Sequence, residues 1–245
     1  MSCWDRFDRK VVLYFTGNKD TRVPGMEREL ARVGLDDADR QWQFPTPIDR
    51  VLLKGIRHIP CVERGGYFNM TMGHYRAIST AYHLGCDSVL VVEDDIRFLK
   101  DMSELEKIVS SIPDGYDVAL LDMFSISMRS VNADTVKMLR EKRRVNDFWA
   151  EFDELRSCGC YALSRRGMSR MMFCYEAVET KKRIGNMRIC DHFLNREYLG
   201  KDTRMYFASK NAAVQRDMPG SHSQSDGILD NYLDMQIDMS EYAEA

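Results

Sequence analysis

Three consecutive carboxylates, Glu93, Asp94 and Asp95, directly follow a short apolar run at residues 89–92. A run of valine and leucine this dense predicts a strand that is buried on both faces. In open α/β sheets, ligands bind beyond the carboxyl ends of the strands, which is where these acids would lie. Adjacent carboxylates repel one another unless a cation, water or a basic group compensates them. A hard divalent metal that carries a substrate phosphate would do so, and the pattern therefore predicts metal-assisted chemistry on a phosphorylated ligand.

A structural interpretation of the same acids stays open, because strands often end in polar turns and aspartate commonly caps helices. The surrounding pattern favours the chemical interpretation. Residues 10–15 predict a first strand, and a polar turn that begins at Thr16 follows it. Pro24 is expected to open a helix, since proline is tolerated in the first turn. Arg22 would then lie in the loop or first turn, either facing a phosphate or solvated.

Two further helices are predicted on either side of the acidic strand. Thr71 is expected to cap the first, and His74 lies on the flank of its apolar stripe. A lone histidine on a helix is more often a packing or surface residue than a catalytic one. Ser103 and Glu106 match a capping box for the second helix.

Two more strands are expected downstream. Residues 116–121 form one apolar run, and Asp122 ends it on the carboxyl side if the strand is parallel. Residues 158–163 form the other, with Ser164 as the cap of a following helix. Cys158 and Cys160 lack a second pair at zinc spacing, so reduced buried thiols are expected.

Length and composition predict a single α/β domain over residues 1–230 and an acidic tail over residues 231–245. The net charge of -3 is too slight to indicate nucleic acid binding. No signal peptide or membrane-spanning run is evident, which predicts a cytoplasmic protein. The basic segment at residues 137–144 leaves contact with the inner face of a membrane open, although a solvated helix face explains it as well.

A second point of chemical interest lies near residue 190. Asp191 and His192 stand beside an aromatic residue, and His192 is either a metal ligand or a residue at the start of a helix. Further along, a loop-rich segment contains Gln215, Ser225 and Asp226, which could close over a ligand as mobile loops commonly do.

The order and spacing of these pieces resemble glycosyltransferase family 25, which includes bacterial lipooligosaccharide galactosyltransferases and collagen galactosyltransferases. The matching blocks are residues 12–34, 72–98, 160–167 and 191–194, with Gln215 and residues 225–226 closing the pattern. The chain departs from the family at residues 15–18, where Asn-Leu is usual, and at residues 72–73, where Leu-Ser is usual. Both departures touch the expected nucleotide pocket and leave the donor base and sugar open.

The resemblance implies a GT-A-like nucleotide-sugar fold, with a central, mostly parallel sheet flanked by helices. It also implies inverting transfer of a hexose, galactose by family association, from a UDP-sugar to a glycan, glycolipid or protein-hydroxyl acceptor. Asp191 would be the catalytic base, and Mn²⁺ or Mg²⁺ would be held by Asp95, Glu93 and His192. The residues expected to contact the nucleotide-sugar are Thr16, Arg22, His74, Glu93, Asp94, Ser225 and Asp226.

Three alternatives remain on sequence grounds. A nucleotidyltransferase typically has a glycine-rich loop after its first strand, whereas this chain has only Gly17 there. A noncatalytic domain would bind nucleotide without metal dependence or turnover. A metal-dependent phosphoesterase would release phosphate from simple phosphate esters.

Overall fold

The computed structural model describes residues 2–15, 19–43, 65–122, 143–153, 158–180, 199–208 and 212–215. A short 3₁₀ helix, Cys3–Arg6, precedes the first strand. The helices are α1 (Lys19–Arg32), α2 (Gly65–His83), α3 (Met102–Ser110) and α4 (Arg165–Thr180). The strands are β1 (Arg9–Phe15), β2 (Asp39–Gln43), β3 (Ser88–Glu93), β4 (Ile96–Phe98), β5 (Val118–Leu120), β6 (Trp149–Glu151), β7 (Cys160–Ser164), β8 (Met205–Ala208) and β9 (Ala213–Gln215).

The central sheet has the strand order β2-β1-β3-β7-β5-β8-β6. Strands β1, β2, β3, β5 and β8 share one direction, because β7 is antiparallel to both of its neighbours and β8 is parallel to β5. Strand β6 runs against β8. This arrangement confirms the predicted α/β fold class with a mostly parallel sheet between helices, and it is consistent with a GT-A-like fold. The carboxyl ends of β1, β3 and β5 therefore meet at one edge of the sheet.

The two faces of β3 belong to two different apolar layers. Val89 and Val91 pack with residues of α2 and α4, whereas Leu90 and Val92 pack with residues of α1 and α3. The alternation follows from the two-residue period of a strand. All four side chains are fully buried or nearly so, as the apolar run predicts. The same alternation assigns Glu93, the last residue of β3, to the side of α2.

Helix α1 begins at Lys19, and the expectation that Pro24 opens it is wrong. Pro24 lies inside the helix, where it removes one backbone hydrogen bond. The preceding turn is held by a tertiary contact, because the buried Arg22 pairs with Asp94. Gly34 lies just beyond the end of the helix, and its φ of 67° is the left-handed conformation that favours glycine.

The predicted caps of the next two helices are also corrected. Thr71 lies within α2, which begins at Gly65. The helix includes two glycines in its first turn, although each lowers helix stability by about 1 kcal/mol. The cap of α3 is Asp101, not Ser103, and its carboxylate accepts a hydrogen bond from the Glu104 N–H at 2.9 Å. Ser164 does cap α4 as expected, because its hydroxyl accepts from the Gly167 N–H at 3.1 Å.

Strand β5 is shorter than predicted. It spans Val118–Leu120, and Asp122 lies beyond its carboxyl end. Within the part of the chain that the structure describes, no helix is long and apolar enough to cross a membrane. The acidic tail, residues 231–245, and most of the basic segment, residues 137–142, lie outside the described residues.

Candidate active site

The acidic motif forms the turn between β3 and β4. Glu93 is the last residue of β3, Asp94 and Asp95 form the turn, and Ile96 begins β4. Strand β4 pairs with β9 in a separate two-stranded sheet, which holds the far side of the turn. The three residues are each at most 8% exposed. Burial of an unpaired charge is energetically costly. Their burial means that neighbouring groups must compensate them.

Arg22 compensates two of the three acids. Its guanidinium Nη1 donates a hydrogen bond to Asp94 Oδ1 at 2.8 Å and lies 3.4 Å from Asp95 Oδ2. The arginine comes from the first turn of α1 and is itself 6% exposed. Among the described residues its Nε has no hydrogen-bond partner, although it is buried. One cation is therefore shared by two buried carboxylates, and it retains a donor for a further acceptor.

Glu93 has different partners, on the opposite side of the sheet from α1. Its Oε1 is 2.9 Å from His74 Nε2 and 3.7 Å from Cys158 Sγ. The other ring nitrogen of His74, Nδ1, is 2.9 Å from the hydroxyl of Tyr161 on β7, and the two rings stack. His74 is fully buried on α2. The motif thus splits into an outer pair held by Arg22 and an inner acid held by α2 and by the segment that enters β7.

Asp122 is a fourth buried acid, at the end of β5. Its carboxylate accepts hydrogen bonds from the backbone N–H groups of Gly159, at 3.2 Å, and Cys160, at 2.8 Å. The carbonyl of Gly159 accepts in turn from the Glu93 N–H at 2.7 Å. A side chain at Gly159 would collide with this arrangement, because a Cβ there would lie 2.7 Å from Asp122 Oδ2. The glycine therefore leaves room for the side chains of Asp122 and Ile96.

The electrostatics of this edge of the sheet favour bound cations. Burial raises the pKa of Glu93 well above its ordinary value, and the nearby charges of Asp95, Asp122 and Asp94 raise it further. Burial also raises the pKa of the Cys160 thiol, with Asp122 adding to the effect. Both shifts indicate that negative charge is disfavoured here, and a bound cation would relieve the part of this effect that comes from the neighbouring carboxylates.

The donor chemistry of the outer acids fits a hard divalent cation. Asp94 and Asp95 offer carboxylate oxygens, which Mg²⁺ and Mn²⁺ prefer. Both carboxylates carry negative charge and lie beside the same arginine, so a divalent ion next to them would be attracted by two acids at once. These residues could therefore hold the predicted metal, with Arg22 beside it.

The structure brings together five of the residues that the sequence singled out. These are Arg22, His74, Glu93, Asp94 and Asp95. The other predicted site residues, Thr16, Asp191, His192, Ser225 and Asp226, lie outside the described residues, and their roles stay predictions.

Sequence reasoning did not assign Cys158, Tyr161 or Asp122 to the site. The position of Asp122 beyond a predicted strand was the available signal. Cys158 gave none, because its partners come from α2 and β3, far away in the sequence, and no local spacing records such a group.

No protein-family model matches the chain, and no curated protein matches it. Among solved structures it is similar to A197 from STIV, at 14% identity over 81% of both chains, with a TM-score of 0.40. It is also similar to mouse xyloside xylosyltransferase 1, at 10% identity over 81% of this chain and 83% of that one, with a TM-score of 0.38. The galactosyltransferase LgtC, in complex with donor and acceptor sugar analogs, has 13% identity over 91% of this chain and 94% of its own, with a TM-score of 0.39. Scores this low carry no inference about activity, which has to come from the geometry of the acids.

Proposed function

We propose that the protein is an inverting, metal-dependent glycosyltransferase that moves a hexose from a UDP-sugar to a saccharide acceptor in lipopolysaccharide or surface glycan synthesis. The observation that supports this proposal is the buried turn at the carboxyl end of β3. There, Asp94 and Asp95 share the single guanidinium of Arg22. Oxygen ligands and a cationic hydrogen-bond donor at this edge of an α/β sheet suit a diphosphate with its metal.

Arg22 supplies the second part of the argument. Its Nε is a buried donor without a partner among the described residues, and such a donor is costly unless a ligand satisfies it. A phosphate oxygen is the acceptor that an arginine beside the first turn of a helix favours. We assign Arg22 two roles, namely to hold the two aspartates in place and to contact the leaving diphosphate.

Charge development explains why such a site would accelerate glycosyl transfer. The bond to the anomeric carbon breaks as negative charge grows on the diphosphate, and preorganised positive groups stabilise that charge. A bound Mn²⁺ or Mg²⁺ would supply further Lewis-acid stabilisation of the same oxygens. Asp94 and Asp95 would hold that ion, and their burial by the surrounding layers keeps water from screening the interaction.

The acceptor side of the reaction is proposed from the sequence. Asp191 would take the proton of the acceptor hydroxyl on the face of the sugar opposite the diphosphate, as inversion requires. His192 would help hold the metal, and Ser225 and Asp226 would close over the substrates. If the Asp191→Asn variant keeps the wild-type transfer rate and still binds the donor, Asp191 is not the catalytic base.

The resemblance to glycosyltransferase family 25 supports the choice of a UDP-hexose and of galactose as the first sugar to test. A glycolipid acceptor would bring the protein to a membrane surface, where the basic segment at residues 137–144 would favour anionic lipid. In contrast to the sequence-based assignment of His74 to the donor, we propose that it positions Glu93. Its ring nitrogens lie beside Glu93 and Tyr161, so the imidazole is directed at protein groups beneath the acidic turn.

Calorimetric titration of UDP, with and without Mn²⁺, tests the proposal on wild type, Asp95→Asn and Asp114→Asn. Asp114 is an exposed turn residue, which makes it the matched control for loss of one carboxylate. We expect wild type and Asp114→Asn to bind UDP in a Mn²⁺-dependent manner, and we expect binding by Asp95→Asn to fall at least tenfold. UDP-sugars and acceptors would then be screened for transfer.

Other outcomes identify the alternatives. Absence of UDP binding in either condition would refute the UDP-sugar proposal. Tight binding of a nucleoside triphosphate, with transfer of its nucleotidyl group to a sugar phosphate and release of pyrophosphate, would indicate a nucleotidyltransferase. Release of phosphate from simple phosphate esters would indicate a phosphoesterase, and metal-independent binding without turnover would indicate a noncatalytic domain.

A further inference from the structure

A second group of potential metal ligands lies beneath the acidic turn. His74 Nε2, Glu93 Oε1 and Cys158 Sγ all lie within 4.8 Å of one another, and all three residues are buried. They come from α2, from the last position of β3 and from the segment just before β7. Nitrogen, oxygen and sulfur together form a donor set that suits Zn²⁺ and related transition metals better than Mg²⁺ or Mn²⁺.

The separations between these atoms suit one small ion. Zinc binds nitrogen at about 2.0 Å and sulfur at about 2.3 Å, so tetrahedral ligand atoms stand roughly 3.3–3.7 Å apart. Here Nε2 and Oε1 are 2.9 Å apart, and Sγ and Oε1 are 3.7 Å apart. The third separation, between Nε2 and Sγ, is within 4.8 Å, so the three atoms lie close enough to surround one ion after side-chain adjustment.

The partner of His74 on its other side also fits metal ligation. Histidines that bind a metal almost always donate their second ring N–H to an oxygen, which fixes the ring orientation. The Tyr161 hydroxyl lies 2.9 Å from Nδ1 in that position. In the neutral imidazole with its proton on Nδ1, this N–H donates a hydrogen bond to the Tyr161 oxygen, and Nε2 presents its lone pair to the ion.

The charges balance when the thiol of Cys158 gives up its proton. One carboxylate and one thiolate then neutralise a divalent ion, which leaves a neutral site in a buried environment where net charge is costly. The carboxylates of Asp94, Asp95 and Asp122 add negative charge around this group and repel the carboxylate of Glu93. A cation at this position relieves that repulsion.

We propose that His74, Glu93 and Cys158 bind a transition-metal ion such as Zn²⁺, which fastens helix α2 and the start of β7 to the end of β3. Three protein ligands leave one coordination position for water or another donor. The ion positions the turn that carries Asp94 and Asp95, but it is distinct from the hard cation proposed for those acids. This inference stands without the proposed transferase activity.

The test measures metal binding directly on the full chain. Purified, reduced protein is analysed for bound zinc, depleted with a chelator and titrated with Co²⁺ while its ultraviolet absorption is recorded. A bond between cobalt and a thiolate produces a strong charge-transfer band that oxygen ligands do not. We expect about one Co²⁺ per chain with this band, and Zn²⁺ should displace the Co²⁺ and abolish the band.

Variants locate the site. Cys158→Ser should abolish the band, and Tyr161→Phe should weaken affinity for Co²⁺ about tenfold or more, as loss of an outer partner does. Cys86→Ser removes a half-buried thiol beyond the end of α2 and should bind as wild type. Circular dichroism confirms that each variant is folded before titration.

Each other outcome overturns the proposal. If folded wild type gives no thiolate band, the three residues form a hydrogen-bonded group only. If Cys158→Ser keeps the band, or Cys86→Ser loses it, another thiol binds the metal. UDP binding tests the transferase separately, so the failure of one proposal can be distinguished from the failure of the other.

Discussion

Replacing Arg22 with methionine should strongly destabilise the protein, because it leaves Asp94 and Asp95 buried without their cation. The side chains of Arg22 and Asp94 are 7% and 4% exposed, so water cannot substitute for the lost contact. At 2.8 Å and an effective dielectric constant of about 20, the attraction is roughly 6 kcal/mol. Desolvation of both groups offsets part of it, and the loss of one partner typically costs about 3–5 kcal/mol. We expect a decrease of that size in the free energy of unfolding.

A double-mutant cycle separates the ion pair from the packing of the arginine stem. Arg22→Met, Asp94→Asn and the double variant are unfolded in urea without added metal, and their free energies of unfolding are compared with wild type. Asp94→Asn alone should cost less than Arg22→Met, since Arg22 keeps Asp95 at 3.4 Å. The double variant should be more stable than the sum of the single losses predicts, by at least about 1 kcal/mol.

Additivity would refute this reasoning. If the losses add to within about 0.5 kcal/mol, the two side chains do not interact in solution, and Arg22 does not compensate the acidic turn. A loss below about 1 kcal/mol for Arg22→Met would lead to the same conclusion, because exposed ion pairs contribute no more than that. Lys107→Met, on an exposed face of α3, is the control for removal of a cationic side chain, and it should be close to wild type.

Three further predictions test other parts of the structure. Gly159→Ala should reduce Mn²⁺-dependent UDP binding and lower the melting temperature, because the new Cβ would lie 2.6 Å from the Ile96 Cδ1 atom. If UDP affinity and melting temperature are both unchanged, the packing around Gly159 is not as tight as this distance indicates. The pKa of Glu27 is lowered from 4.5 by its hydrogen bond with an arginine, so its contribution is present above pH 4.5 and is lost as the pH falls through the lowered pKa. Glu27→Gln should therefore lose less stability than wild type on acidification in urea denaturation, by under about 1 kcal/mol for this partly exposed pair. Asp101→Ala should cost about 1 kcal/mol of unfolding free energy by loss of the α3 cap, whereas Ser103→Ala should cost little; equal losses would contradict the assignment of the cap.

The sheet and its acidic edge could be predicted because their signals are local. Residues 89–92 are apolar without interruption, and a strand buried on both faces requires that composition. The apolar face of α1 likewise follows from helical spacing. Gly34, which has a positive φ, lies just beyond the end of this helix. In each case, neighbouring residues in the sequence determine the structure.

The starts of α1, α2 and α3 and the long-range contacts of the site could not be predicted in this way. Helix α1 extends past Pro24 towards its amino end, and the anchor of that turn is Asp94, which lies 72 residues away from Arg22. The partners of His74 are equally distant, with Tyr161 87 residues further along the chain. Such contacts arise only when the layers of the fold assemble, and no spacing rule within a window of sequence contains them.

The alternation of a β-strand explains why three adjacent acids do not act as one site. Because successive side chains of β3 face opposite layers, Glu93 follows Val91 towards α2, whereas the turn that begins at Asp94 presents its acids to Arg22. Each acid can then be compensated by a different partner, and the repulsion expected of adjacent carboxylates is divided between two places. The chemistry follows the same division, since the outer acids offer only oxygen and the inner acid shares its surroundings with nitrogen and sulfur. A motif that sequence alone presents as a single metal site is therefore divided into two groups of acids with different partners, and we propose a different cation for each group.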